Sequence, residues 1–271
     1  MSQTFANKTV IITGASAGVG AACAHAFADE GANLVLAARG QEALDKIGKE
    51  LASKTEVLTQ SMNVADDTAC AALLESARDR FGAIHVLVNN AGMHSRGDVS
   101  TVGAQGIAAM VDVNLRAPFV LSALATPYIE EAGGGAIVMV GSLAGRTPMQ
   151  GAATYAATKA GLRSFTYSFA DEVVERGIHV GLVSPGPIDT GFIMDEIDEV
   201  EDIVFSQPMS TAAEVAGAVL SVALGEETEI CLPAISGRMT TLSYLFPGLR
   251  KRMRPKLYAM GRKNKDKYRE R

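Results

Sequence analysis

The segment Thr154-Tyr155-Ala156-Ala157-Thr158-Lys159 sets a phenol and an ammonium four residues apart in an Ala-rich stretch with helical spacing, so both side chains leave one face of a helix. A free tyrosine has a pKa of about 10 and exchanges protons poorly at neutral pH, but a nearby ammonium stabilises the phenolate. Ser142, thirteen residues earlier at the end of an apolar run, could hydrogen-bond a carbonyl oxygen beside that phenol. Taken alone, a Tyr and a Lys at this spacing are usually surface neighbours. A second element gives them a partner: Gly14, Gly18 and Gly20 form TGxxxGxG after the first apolar run and at the start of a helical one. Such glycines permit positive φ and let the backbone approach a diphosphate, whose charge is met by the helix N-terminus.

These residues need a scaffold, and the hydropathy pattern supplies it. Apolar runs at 8–13, 32–38, 56–64, 84–90, 136–142, 178–184 and 229–233 alternate with helical periodicity at 18–30, 41–53, 67–81, 104–131, 153–176 and 211–225. Nearly continuous Val/Ile/Leu strands imply a sheet buried on both faces, hence a parallel one. The expected fold is therefore a single doubly wound α/β domain with a parallel sheet of about seven strands and helices on both faces. Ligands of such sheets lie beyond the carboxyl ends of the strands. There the chain places the glycine loop, Asn89-Asn90-Ala91-Gly92, Gly141-Ser142 and Ser184-Pro185-Gly186-Pro187.

Thr13-Gly14-(x)3-Gly18-x-Gly20, Asn89-Asn90-Ala91-Gly92, Asn114, Ser142, Tyr155-(x)3-Lys159 and Pro185-Gly186 match in order and approximate spacing a known pattern, so the chain resembles the classical short-chain dehydrogenases/reductases. The resemblance covers about 170 residues and implies a Rossmann-type fold. It implies a catalytic tetrad of Asn114, Ser142, Tyr155 and Lys159: Tyr155 the acid/base, Ser142 holding the substrate oxygen, Lys159 binding the nicotinamide ribose and depressing the tyrosine pKa, and Asn114 supporting a relay water. It also implies a nicotinamide cofactor against Gly14, Ser16, Gly18, Val19, Gly20, Arg39, Asn63, Val64, Asn90, Ala91, Gly92, Tyr155, Lys159, Pro185, Gly186, Ile188 and Thr190. No metal is expected. Asn63 stands where the family usually has an Asp for the adenine amine, and its amide oxygen can still accept that bond. His85 replaces an acid often found before VLVNNAG and reads as a strand-start residue; His94 lies nearer the substrate.

Cofactor choice turns on the end of the second strand. NAD enzymes of this fold place an acid there, and NADP enzymes an arginine nearby. Leu36-Ala37-Ala38-Arg39 has no acid, and a guanidinium suits a phosphate, so NADP is preferred over NAD. The expected activity is NADPH-linked reduction of a neutral apolar ketone or aldehyde. The alternatives are an NAD-linked alcohol or hydroxysteroid-type dehydrogenase and a non-catalytic nucleotide-binding scaffold.

The core domain is expected over 1–237, including a substrate lid at 188–210, with a basic amphipathic extension at 238–271. In the lid, Ile193, Ile197, Val200 and Val204 recur at helical spacing, while six of the eight residues 195–202 are acidic. A lid helix is expected. Phe192, Ile193 and Met194 are to face the substrate together with Ser142, Tyr155 and His94, and an acidic outer face is to disfavour anions. Residues 248–271 carry +9, leaving −14 on residues 1–247. An acidic body argues against nucleic-acid binding. For the tail, with an apolar stripe at Met239, Leu242, Leu245 and Phe246, three readings stand: a foot on an anionic membrane surface, an arm on another subunit, and a solvated end. With three cysteines and no CxxC pair, no disulfide scaffold is expected. No secretory leader or run of 18 apolar residues is evident, so the expected location is cytoplasmic, with peripheral membrane contact through 239–271 open. A homodimer or homotetramer through helices near 104–131 and 153–176 is expected from the resemblance.

Overall fold

The computed structural model describes residues 4–270. Seven parallel strands, β1 (Thr9–Thr13), β2 (Asn33–Ala38), β3 (Val57–Ser61), β4 (Val86–Asn89), β5 (Gly135–Val140), β6 (Ile178–Pro185) and β7 (Glu229–Leu232), stand in the order β3-β2-β1-β4-β5-β6-β7. The chain reverses direction of sheet growth between β1 and β4, which opens the ligand crevice at their carboxyl ends. The helices α1 (Gly18–Asp29), α2 (Gln41–Leu51), α3 (Asp67–Phe81), α4 (Val99–Val111), α5 (Ala117–Glu131) and α6 (Ala153–Val173) follow in alternation.

Burial on both faces explains the unbroken apolar strands. Phe27, Leu34, Leu36 and Val219 fill one side, and Leu73, Leu87, Leu121 and Ile137 the other. Each side chain of this size, fully withdrawn from water, contributes roughly 1.5–3 kcal/mol. The helical run Val99–Glu131 is long and apolar enough by composition to cross a membrane, yet its Met110, Leu121, Ala125 and Ile129 are buried in the domain. Between α4 and α5 the helix widens into a π-turn at Asp112–Arg116. That turn carries Asn114 inward.

Past β6 the structure departs from expectation. In place of one lid helix there is a broken path: α7 (Gly191–Met194), then 3-10 turns at Ile197–Glu199 and Asp202–Ser206. Ile193, Val200 and Phe205 form a small core of their own, with Met194, Ile197 and Val204 packed against it. A continuous helix would align the six acids on neighbouring turns, where like charges destabilise one another.

After α8 (Ala212–Ala223) and β7, the chain forms α9 (Ala234–Leu245) and α10 (Pro247–Arg269). The solvated-end reading fails for these residues. Nor is the basic charge offered only outward, because α10 lies on the acidic lid of its own chain. Arg262 and Lys265 pair with Asp202 at 3.0 and 3.5 Å, and Arg269 pairs with Asp198 at 2.6 Å. Lys265, 4% exposed, also donates to the Val200 and Asp198 carbonyls. Tyr258 donates to Glu201 at 3.0 Å. Contact is so close at Gly261 that a Cβ there would overlap the Asp202 carbonyl oxygen.

Candidate active site

The glycine loop is held from β4. Thr13 Oγ1 accepts the Asn90 and Ala91 amides at 3.1 and 3.0 Å, while Asn90 Nδ2 donates to the Thr13 and Gly14 carbonyls at 2.9 and 3.2 Å. Gly14 and Gly18 have φ of 66° and 54°, the left-handed region that glycine enters without steric cost. At Gly20 a Cβ would overlap the Gly14 carbonyl oxygen, so no side chain fits. The N-cap of α1 is Ala17, which offers no capping side chain, and the first turn holds no acid. Its amides are left for an external anion. The loop therefore suits a dinucleotide diphosphate.

A cavity of about 1110 Å³ runs from this loop past the strand ends to α10. Ser16, Val19, Asn63, Val64, Pro185, Gly186, Ile188 and Thr190 line it with Gly14, Gly18, Asn90, Ala91 and Gly92, whereas Gly20 lies behind the loop against the Gly14 carbonyl and does not line it. Thr190 approaches Gly18, where a Cβ would meet its side chain at 3.6 Å. Asn63 spends its amide oxygen on the Ala65 amide at 3.1 Å, a local turn the sequence did not reveal. Arg39 lines the cavity and is exposed, and Ala38 before it is buried.

Tyr155, Ser142 and Lys159 converge on the floor of this cavity. Ser142 stands beside the Tyr155 hydroxyl, where its pull on the phenol is felt, and accepts the Ala144 amide at 3.1 Å. Burial raises the Tyr155 pKa, against opposing pulls from Ser142 and the Arg96 charge. Lys159 Nζ donates to the Val140 carbonyl at 2.8 Å and lies 5.9 Å from the phenol ring centre; burial brings its own pKa down to about 8. Asn114, fully buried, closes a two-point clamp on Met93: Oδ1 accepts the Met93 amide and Nδ2 donates to its carbonyl, both at 2.8 Å.

The clamp aims the next residue. His94 stacks on Tyr155 with ring centres 4.4 Å apart. Arg96 donates to His94 Nδ1 at 3.1 Å, and an arginine can only donate, so the neutral ring carries its proton on Nε2. That buried Nε2 has no hydrogen-bond partner among the described residues. Burial, then the Arg96 charge, lower the His94 pKa to about 4. Arg96 itself is fixed by Glu196 at 2.8 Å and by the Phe192 carbonyl, so this site is tied to the lid. Arg96 was not foreseen. Its only sequence signal was a cation two residues after His94. His85, by contrast, accepts the Thr9 amide at 3.0 Å and is structural.

Of the expected pocket wall, Phe192 stands 6.4 Å from Tyr155 between ring centres, and Ile193 touches the cavity from the lid's core. Met194 does not line it and packs inside the lid. The acids do not form the outer charge that was to turn anions away, since Asp198, Glu201 and Asp202 are engaged by α10. A further unforeseen group is Glu229. Its carboxylate, 8% exposed, receives Arg146, Arg163, Tyr167 and Ser184, joining the turn after Ser142 to the helix of Tyr155.

Comparison with known proteins agrees with this geometry. Residues 8–201 match the short chain dehydrogenase family model, and the chain belongs to that family. It is 32% identical over 232 residues to the 3-oxoacyl-[acyl-carrier-protein] reductase FabG of Escherichia coli, covering 84% of this chain and 94% of that protein. It is 36% identical over 205 residues to a cyclohexanol dehydrogenase of Acinetobacter sp., covering 74% and 80%. Among solved structures, levodione reductase superposes with a TM-score of 0.79 at 25% identity, covering 86% of this chain and 99% of that one. The chain is thus an oxidoreductase acting on CH–OH or C=O groups with a nicotinamide cofactor.

Proposed function

We propose that the protein is an NADPH-dependent reductase of apolar ketones or aldehydes, with Tyr155 as proton donor. One observation carries the role of Tyr155: it sits buried on the cavity floor with Ser142 beside it, and burial favours its protonated form. Reduction consumes a proton at the oxygen, whereas oxidation needs the phenolate that burial disfavours. The dinucleotide supplies a hydride to the carbonyl carbon when bound. The glycine loop and Lys159 would hold its diphosphate and ribose, and Arg39 its 2′-phosphate. Ser142 holds the substrate oxygen, Tyr155 gives up its proton to it, and His94 Nε2–H donates to a second acceptor on the substrate. Asn114 positions His94 through the Met93 backbone. Phe192 and Ile193 cover the reacting carbonyl with apolar surface.

A second reading, NAD-linked alcohol oxidation, draws on the likeness to a cyclohexanol dehydrogenase. Absorbance at the nicotinamide band with a panel of apolar ketones and alcohols separates the two. NADPH with ketones is expected to give turnover that declines at alkaline pH as Tyr155 ionises, and Tyr155→Phe is expected to lose about 10²-fold or more in kcat. Near-native turnover of that variant would remove Tyr155 from the mechanism. Self-association through α5 and α6 is part of the proposal; it is supported by Leu124 and Tyr167, apolar side chains 37% and 38% exposed on those helices, and is read by light scattering.

A further inference from the structure

The faces of α10 divide by burial. Arg250, Met253, Arg254 and Leu257 are half-buried, at the spacing that continues into Tyr258, Gly261 and Lys265, whereas Lys251, Arg252 and Lys256 are exposed. Helical geometry therefore turns Arg250 and Arg254 the same way as the residues that dock on the lid. One turn short of the lid, that face meets the cavity: Arg250, Met253, Arg254 and Leu257 line it, with exposed Lys251 at its edge and Met239 and Leu242 of α9.

The charges here differ from those further along the helix. Arg262, Lys265 and Arg269 have carboxylates. Among the described residues Arg250, Lys251 and Arg254 form no ion pair; the Arg254 guanidinium lies 5.3 Å from the Tyr258 ring centre, and the Tyr258 hydroxyl is taken up by Glu201. Asp195, the one carboxylate among the described residues that line the cavity, lies back over Gly191, where a Cβ would meet its Oδ2 at 2.6 Å. The cavity thus has a proton donor on its floor, an apolar wall, and at its rim guanidinium groups that form no ion pair among the described residues.

We infer that Arg250 and Arg254 form an anion-recognising subsite, and that the substrate is an apolar carbonyl compound with a carboxylate or phosphate remote from the reacting carbon. The inference rests on the carbonyl-reductase reading of the floor and extends it. Half-burial lowers the local dielectric, and a planar guanidinium can offer two parallel hydrogen bonds to either anion. The wall formed by Met239, Leu242, Met253 and Leu257 takes the intervening chain. No covalent step is involved.

The test compares a medium-chain oxo acid, its carbonyl near the methyl end, with the methyl ester of the same acid. Wild-type kcat/KM is expected to favour the acid by about tenfold or more, chiefly through KM, with the advantage shrinking as salt is added. In Arg250→Gln/Arg254→Gln the acid-to-ester ratio is expected to fall towards one, and Arg250→Lys/Arg254→Lys to restore part of it. Calorimetric titration of both compounds into the NADP-loaded protein reads the subsite without turnover. If neither is reduced but the acid binds more tightly, the reductase reading fails and the subsite stands. Equal binding of acid and ester, or a double variant that weakens both alike, overturns the subsite. It is overturned as well if the variant leaves the ratio intact and only abolishes co-sedimentation with anionic phosphatidylglycerol vesicles, which would assign these arginines to a lipid surface.

Discussion

Glu229→Gln is expected to cost about 3 kcal/mol of folding stability at neutral pH while removing only one charge. Burial pushes the Glu229 carboxyl up, but hydrogen bonds from Arg163, Arg146, Tyr167 and Ser184 outweigh it and hold the group at about 2 against 4.5 for the free side chain. Each pKa unit is worth 1.36 kcal/mol, so the network stabilises the native state by roughly 3 kcal/mol above the unfolded pKa. The sign follows from proton uptake: below pH 4.5 the unfolded chain binds the proton first, so this stability drains away as pH falls through about 2. Urea unfolding of wild type and variant from pH 7 down to pH 2.5 reads it. The difference between the two should be near 3 kcal/mol at pH 7 and shrink steadily in acid. Because Arg146 ends the turn after Ser142 and Arg163 lies on the helix of Tyr155, the variant is also expected to lose kcat. A gap below about 1 kcal/mol, or one that ignores pH, would refute the account of Glu229 as the brace of the site.

Arg39→Ala should erase most of an expected tenfold or greater preference for NADPH over NADH, since a charge-assisted pair to the 2′-phosphate contributes about 1.5–3 kcal/mol; fluorescence titration of both cofactors decides it. His94→Phe keeps the ring stack and deletes the Nε2–H donor, so kcat/KM should fall about tenfold. It should also flatten the stability profile between pH 4 and 6.5, because wild-type His94, held at about 4, resists a proton the unfolded chain accepts and so loses stability as pH drops through that window. Deleting residues 247–271 uncovers the lid core around Phe205, which is fully buried, and is expected to cost about 2–3 kcal/mol and raise KM, as followed by thermal unfolding and limited proteolysis of 191–206.

The scaffold was legible because its signals are local. Val10-Ile11-Ile12 and Ile137-Val138-Met139 are buried to the last side chain, and a run apolar on both faces can only be an interior strand. The glycines were legible for a similar reason, since their backbone geometry is a property of the loop itself. Interactions that are long in sequence were not. Nothing near Lys159 announces that its ammonium will prefer the Val140 carbonyl, nineteen residues back, and nothing near Glu229 announces Arg146. Asn114 was placed by resemblance, yet its grip on Met93 depends on a π-turn that no periodicity of 3.6 foretells.

The lid and the tail show the same limit with a chemical consequence. Read separately, six acids in eight residues repel anions and eleven cations in the last 24 residues attract membranes. Folded, the two charges cancel over part of their length, because Asp198 and Asp202 find Arg262, Lys265 and Arg269 some sixty residues on. Cancellation stops where the lid stops. The cations nearer the N-terminus of α10, Arg250, Lys251 and Arg254, line the pocket without forming an ion pair among the described residues, so the charge there is decided by the residues left over rather than by the composition of either segment. The cavity that holds Tyr155 is therefore lined at α10 by guanidinium groups, although the body of the chain carries −14.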